Sequence, residues 1–340
     1  MGEVSIIGLD LAKSVFQAHG ADSTGKVVFR KKLRREQVLE FFAGQPKCLV
    51  AMEACASAHF WARELASVGH TTKLIAPNYV KPFVKRQKND MADAEAICEA
   101  AQRPTMRLIT PKSAQAQAAA TVFRARDLLV RQRTQLINAL RGHLAEYGMV
   151  MSKGADKAAA LIELVSNPTL AVPEAARSIL EVLAQTLEIM QSKIAVLDAE
   201  IGKRARADGV AKRLMSIPGI GAVIATALVA LAPPAETFKR GRDFAAWIGL
   251  TPLQHSSGGK ERLGRITKMG ERSLRRLLII GASSAAKAAA AKGAADTWLG
   301  RMLSRKPRML VVVALANKIA RVAWALMAHG GTFRAPTEAA

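Results

Sequence analysis

Four carboxylates in the first hundred residues stand where phosphodiester chemistry would need them. Asp10 follows Ser5-Ile-Ile-Gly-Leu and Glu53 follows Leu49-Val-Ala-Met, so each ends an apolar, strand-like run with its carboxylate free of the core. Asp90 and Asp93 are three residues apart on a predicted helix and share one of its faces. Acids gathered in one place repel unless cations neutralise them. All-oxygen ligands suit Mg²⁺, and two such ions about 4 Å apart activate an attacking oxygen and stabilise a leaving one at phosphorus. Asp90 also fits the role of helix cap, and Glu95 and Glu99 on the same helix are weaker ligand candidates.

A second constellation is His255-Ser256-Ser257-Gly258-Gly259-Lys260, following Trp247-Ile-Gly-Leu-Thr-Pro. A serine beside two glycines in a basic loop can approach a phosphate unobstructed. It is either a phosphate-binding loop or a nucleophile, with His255 as base and Lys260, Arg262 and Arg265 to stabilise developing charge. Farther on, Lys268, Arg272, Arg275 and Arg276 are expected on one face of a helix whose opposite face is apolar, which reads as a nucleic-acid-facing helix. The run Leu214-Met-Ser-Ile-Pro-Gly219-Ile-Gly221-Ala-Val-Ile-Ala has the form of a helix-hairpin-helix. Its glycines let backbone amides at a helix start come close to a phosphate.

The elements that must position these groups change along the chain. Val4–Leu9, Val15–His19 and Lys26–Leu33 read as strands, Glu36–Phe42 as a short helix, Cys48–Met52 as a strand, His59–Val68 as a helix and Thr71–Ala76 as a strand. Three strands, helix, strand, helix, strand is the order of a ribonuclease-H-like α/β domain, in which the first and fourth strands are neighbours and Asp10 and Glu53 would converge. A helix is expected over Asp90–Gln102, capped by Asn89 or Asp90, and a long one from Pro111 to Tyr147, rich in arginine. Leu180, Leu183, Leu187, Met190, Ile194, Leu197 and Ile201 form a heptad seam. It fits a core helix of a bundle, an intermolecular coiled coil, or an antiparallel partner of residues 114–147. The C-terminal part is expected to be all-α, ending in an apolar helix over Met309–Met327 and a disordered tail, Thr332–Ala340.

The charge narrows the function classes. In 340 residues, 50 Lys and Arg face 27 Asp and Glu, a net charge of +23, and Gly202–Ala340 alone holds 24 basic and 7 acidic residues. A polyanion is the expected partner, because neutralising phosphates releases condensed counterions. Three cysteines without a CxxC argue against a disulfide framework or zinc ribbon. The N-terminus lacks the pattern of a signal peptide, and the apolar stretches Ala222–Ala232 and Met309–Ala316 are short for a membrane span. A soluble cytoplasmic protein, associated with the bacterial nucleoid and with no membrane partner, is expected.

Taken in order, Gly-Leu-Asp10, Met-Glu53-Ala, Lys-Asn-Asp90-x-x-Asp93-Ala, Ile-Pro-Gly-Ile-Gly, Gly-Leu-Thr-Pro and Ser-Ser257-Gly-Gly-Lys resemble the IS-one-ten and IS-eleven-eleven group of insertion-sequence transposases over nearly the whole chain. The resemblance implies a RuvC-like DEDD catalytic domain (1–112) binding Mg²⁺ through Asp10, Glu53, Asp90 and Asp93. It implies next a helical and coiled-coil oligomerisation region (113–206), a C-terminal transposase domain (207–330) and a tail (331–340). Ser257 is the implied nucleophile, with Ser256 as fallback. It forms a covalent phosphoserine link to DNA with the help of the metal site. Donor and target DNA, a structured non-coding guide RNA and assembly as a homodimer or homotetramer complete what the resemblance implies. The residues alone also admit a structure-selective, Holliday-junction-like endonuclease or a non-enzymatic nucleic-acid-binding protein.

Overall fold

The structure, a computed structural model, describes residues 3–85, 89–152, 154, 157–291 and 297–334. The chain divides into two compact units, Met1–Gln117 and Ala118–Ala340.

The first unit is a mixed sheet with helices on both faces. Strands β1 (Ile6–Asp10), β2 (Val15–Ala21) and β3 (Val27–Arg34) form an antiparallel meander. Helix α1 (Val38–Ala43), strand β4 (Leu49–Glu53), helix α2 (Ala58–Ser67) and strand β5 (Thr71–Ile75) follow. After α3 (Pro77–Val80) and α4 (Asp90–Ala101), a two-residue strand β6 (Leu108–Ile109) closes an edge, giving the order β3-β2-β1-β4-β5-β6. β1 pairs in parallel with β4, and β4 with β5. The ribonuclease-H-like order expected from the sequence is the order found; β6, too short to carry a pattern, was not expected.

Strand alternation divides the core into two layers. Ile7, Leu9, Phe16, Val50 and Met52 pack with α1 and α2, whereas Ile6, Ala51 and Ile75 pack with α4. α4 lies directly on β1: a Cβ at Gly8 would overlap the Ala94 carbonyl and stand 2.6 Å from the Cys98 nitrogen.

The second unit begins with α5 (Ala114–Glu146, of which Ala118 onward belongs here), then α6 (Ala158–Val165), α7 (Glu174–Ala207), α8 (Gly209–Leu214) and α9 (Ala222–Leu231). α10 (Gly241–Ile248), a hairpin of β7 (Pro252–Gln254) and β8 (Leu263–Ile266), α11 (Arg272–Ala291), α12 (Trp298–Arg305) and α13 (Arg308–His329) complete it. Four of the seven heptad positions on α7, Leu180, Leu187, Ile194 and Ile201, are buried within this one chain. Leu180 and Leu187 share a core with Ile137, Leu140 and Leu144 of α5 and with Leu161 and Val165 of α6, while Arg126 of α5 ion-pairs with Asp198 near the other end of α7. The two helices therefore run antiparallel.

Several expectations need correction. The middle region does not stand apart, because Ala120 and Phe123 of α5 and Ile201 of α7 enter the same core as α8 to α13. The C-terminal part is helical but not all-α: residues 252–266, too exposed to show an apolar alternation, form the β7–β8 hairpin. The apolar segment starting at Met309 continues to His329, and α13 is by length and composition able to cross a membrane. Here Val312, Ala316, Ile319, Ala320 and Ala323 bury its apolar side in the unit's core. Of the expected disordered tail, residues 335–340 lie outside the described residues.

Candidate active site

Asp10 is the last residue of β1 and Glu53 the last of β4, side by side at the C-terminal end of a parallel pair. Helix α4 starts above them. Asn89 caps it, its side chain accepting the Ala92 N–H at 2.9 Å, so Asp90 and Asp93 fall in the first turn. There the positive end of the helix dipole favours their charge. Ligand oxygens of Asp10, Asp90 and Asp93 all lie within 4.8 Å of one another. Glu53 is outside that group, yet its charge still acts on Asp10. Glu95 is engaged elsewhere: it holds Lys85 at 2.5 Å and Arg30 at 3.3 Å.

Burial and like charge dominate the electrostatics of Asp10. Burial first, and then the charges of Asp93, Asp90 and Glu53, push the Asp10 carboxyl from 3.8 up to about 6. Three converging carboxylates, all oxygen donors, fit a hard divalent cation, whose charge would reverse that shift. Gly8 is a site residue that sequence reasoning missed. Only the absence of a side chain there lets α4 come near enough to bring Asp90 and Asp93 to Asp10. The visible signal was a glycine inside an apolar strand, two residues before an acid.

The serines sit on a different kind of support. Ser257 and Lys260 bracket the tip of the β7–β8 hairpin, with Gly258 (φ 55°) and Gly259 (φ 75°) as the central pair of a turn that needs two positive φ values. The Lys260 amide donates to the Ser257 carbonyl at 3.0 Å, and the His255 amide to the Arg262 carbonyl at 2.8 Å. The two hydroxyls differ. Ser256 Oγ accepts the Arg262 N–H at 3.1 Å, bracing the hairpin, whereas the Ser257 hydroxyl bonds to no described residue. Every residue from Pro252 to Arg265 is exposed, Lys260, Arg262 and Arg265 among them.

The basic face expected after the hairpin is only partly assembled. Lys268 lies before α11 with φ 56°, a left-handed conformation uncommon for a side-chain-bearing residue. Arg272 opens the helix. Arg275 turns inward, only 9% exposed, donating from Nη1 to the carbonyls of Ile248 and Met269 at 2.7 Å each. It ties α10 to α11, so the expectation that it faces nucleic acid does not hold. Arg276 pairs with Asp127 at 2.6 Å. In the turn between α8 and α9, Gly219 (φ 91°) and Gly281 of α11 meet backbone to backbone, and a Cβ on either would collide with the other. Gly221 precedes α9 with no side-chain cap and open space around its Cα.

Comparison with known proteins covers both units. A DEDD transposase domain of the IS110 type matches residues 7–149, and the "Transposase IS116/IS110/IS902 family" matches residues 211–296. Over 334 residues the chain is 48% identical to a Pseudomonas aeruginosa protein named "Probable family 20 transposase", covering 97% of this chain and 99% of that one. It is 38% identical to the Yersinia enterocolitica "Transposase for insertion sequence element IS1328", covering 98% and 99%. To the Coxiella burnetii "Transposase for insertion sequence element IS1111A" it is also 38% identical, covering 98% and 92%.

Proposed function

The chain belongs to the IS116/IS110/IS902 family of transposases, enzymes that act on DNA, and from that membership we propose that it cuts and rejoins DNA strands through a carboxylate metal site and a serine nucleophile. A DEDD domain implies divalent metal use, and the observation carrying the reading is the convergence of Asp10, Asp90 and Asp93 beside Glu53. We assign these four to Mg²⁺, two ions being the number that phosphoryl chemistry commonly employs. When bound, the metal supplies charge stabilisation at the scissile phosphate.

Ser257 is the proposed nucleophile. Its hydroxyl bonds to no described residue at an exposed tip, while that of Ser256 braces the hairpin. His255, two residues before Ser257 on the same exposed hairpin, is the candidate base for the hydroxyl proton. The Oγ–P bond forms and the P–O bond to deoxyribose breaks, its electron pair and the proton from His255 leaving as a strand hydroxyl. Lys260 and Arg262 neutralise the non-bridging oxygens. Attack by another strand's hydroxyl on the phosphoserine reverses these steps, restoring Ser257 and joining the new strand without an outside energy source.

The remaining surfaces fit this reading. Gly221, with open space around it, leaves the start of α9 accessible to a DNA backbone, and Arg265, Lys268 and Arg272 add positive charge. The helix-hairpin-helix assignment rests on the Gly219 turn between α8 and α9. A structured non-coding guide RNA is a second polyanion suited to a +23 chain. Homodimer or homotetramer assembly through a coiled coil draws support from exposed Ile179, Val182, Ile189 and Val196 on α7. DNA chemistry of this kind belongs at the bacterial nucleoid.

The test is a stalled reaction on element-end DNA with Mg²⁺, run on a denaturing gel. Protein should be carried on DNA, and peptide mapping should place the link at Ser257. Ser257→Ala should remove the adduct and Ser256→Ala should keep it. Strand cleavage without any adduct would leave a metal-dependent endonuclease and overturn the serine assignment.

A further inference from the structure

The edge strand β3 carries charge that neither proposed centre uses. Met1–Gln117 holds 17 Lys and Arg against 11 Asp and Glu, and six of the seventeen lie in Lys26–Arg35, a stretch with no acid. That stretch therefore accounts for the unit's whole positive excess. Charged edge strands commonly serve only to block strand-to-strand aggregation. Two observations set this one apart.

The first is which cations are occupied. Arg30 pairs with Glu95, Lys31 Nζ sits 4.8 Å from the Phe41 ring centroid, and Arg35 stacks 5.0 Å over Trp61. Lys32 and Arg34 are exposed and make no ion pair or ring contact with any described residue.

The second is register. Asp10 pairs with Gln17 across β1–β2, and Gln17 pairs with Lys32 across β2–β3. Registered partners leave a sheet on the same face. That face is α4's, since Arg30, two residues before Lys32, reaches Glu95 of α4. Asp10, Gln17 and Lys32 thus form one row across three strands, about 10 Å long from two interstrand spacings. Arg34, opposite Val15, lies one pleat beyond Lys32 toward the carboxylate end of the sheet.

We infer that Lys32 and Arg34 form a phosphate track for the DNA strand being cut. The strand's scissile phosphate lies at the carboxylate cluster and its neighbouring phosphates pass over Gln17 onto these two cations. The inference rests on the carboxylates being the phosphodiester site. It separates labour within the first unit: acids act at the bond broken, and the edge strand holds the flanking backbone without reading sequence.

The experiment uses full-length protein and element-end DNA bearing a single uncharged methylphosphonate at successive positions around the cleavage point. In wild type, a neutral linkage beside the scissile phosphate should slow subsaturating cleavage several-fold. In Lys32→Ala/Arg34→Ala, cleavage of ordinary DNA should be slowed to a similar degree, and the same methylphosphonate should cost nothing more. Lys32→Arg/Arg34→Lys should behave as wild type. In an Asp10→Asn background, where binding is read without cleavage, the double alanine change should lower the slope of log affinity against log salt by about 1.4, from two single-strand contacts at about 0.7 each. An unchanged methylphosphonate profile and slope, with Asp10→Asn inactive, would overturn the track alone. Full cleavage by Asp10→Asn would overturn the carboxylate reading and the track with it. A slope change seen with element RNA but not with DNA would overturn the assignment to the cut strand.

Discussion

The carboxylate cluster and the serine hairpin are built in opposite ways. Asp10 and Glu53 end buried parallel strands, and Asp90 and Asp93 occupy the capped first turn of a helix pressed onto the β1 backbone at Gly8. The serines sit on a two-stranded hairpin exposed along its length, with Ser257 beside a two-glycine turn. Repelling charges must be held together by something stiff, because each would lower its energy by moving away. A nucleophile that has to reach a bulky duplex needs clearance, and the groups completing its surroundings can arrive with the DNA. Rigidity serves the first centre and access the second.

The sharpest way to break this contrast is to remove the acids singly. Alanine at Asp10, Asp90 or Asp93 should reduce strand cleavage to background while nucleic-acid binding in filter or anisotropy assays stays near wild type. Glu53→Ala, outside the 4.8 Å group, should retain the most activity of the four. Equal cleavage by Asp93→Ala and wild type at saturating Mg²⁺ would take Asp93 out of the site.

Glycines probe the supports. Gly8→Ala leaves every carboxylate in place but forces α4 off β1, so calorimetry should show a loss of about 1–3 kcal/mol from overpacking. Metal affinity should fall roughly 10–100-fold, as when the surroundings of ligands are disturbed. Gly259→Ala meets open space and only the cost of a positive φ, roughly 1–2 kcal/mol confined to the hairpin, with the global melting transition unmoved. Equal effects of the two on the melting transition would erase the distinction drawn here.

A smaller effect should follow pH. The Asp10 carboxyl is raised to about 6, so the folded state binds its proton more tightly than the unfolded chain does. Without metal, that stabilising contribution is complete below about 4 and is lost as pH rises through about 6. Divalent-cation affinity should run the other way, climbing toward pH 6 and levelling above it, because the metal needs the carboxylate. Titration calorimetry across pH 5–8 checks both the direction and the plateau; Asp10→Asn should flatten the curve. The smallest change is expected at Ser256→Ala, which removes one exposed hydrogen bond worth about 1 kcal/mol or less. Faster amide exchange at Arg262 should report it, with the global stability unaltered.

The heptad on α7 shows where pattern ends. Leu180 to Ile201 announces a helix with an apolar seam, and periodicity alone left three partners open. In the fold, Leu180 and Leu187 share a core with α5 and α6 of the same chain, while Ile179, Val182, Ile189 and Val196 stay exposed on the same helix. A seam specifies that something must cover it, because exposed apolar area is costly, but not which helix does so. The arginines of α11 teach the same point. Helical spacing grouped Arg272, Arg275 and Arg276, and only packing turned Arg275 into the unit to bond two carbonyls.

What the sequence determined by itself is therefore local or compositional. Strand alternation and turn residues gave the order of the first unit, an Asx side chain marked the start of α4, and the excess of Lys and Arg selected a polyanion as partner. The acids were also legible, because a charge ending an apolar strand is unusual. Tertiary structure alone decided that Asp90 and Asp93 lie within 4.8 Å of Asp10 across some eighty residues of chain, and that Gly8 makes this approach possible. It decided too that, among the described residues, the hydroxyl of Ser256 is engaged and that of Ser257 is not. Periodicity reports which face of an element is apolar, a property of neighbouring residues. The distance between two functional groups depends on how whole elements pack, and that is fixed by contacts between residues far apart in the chain.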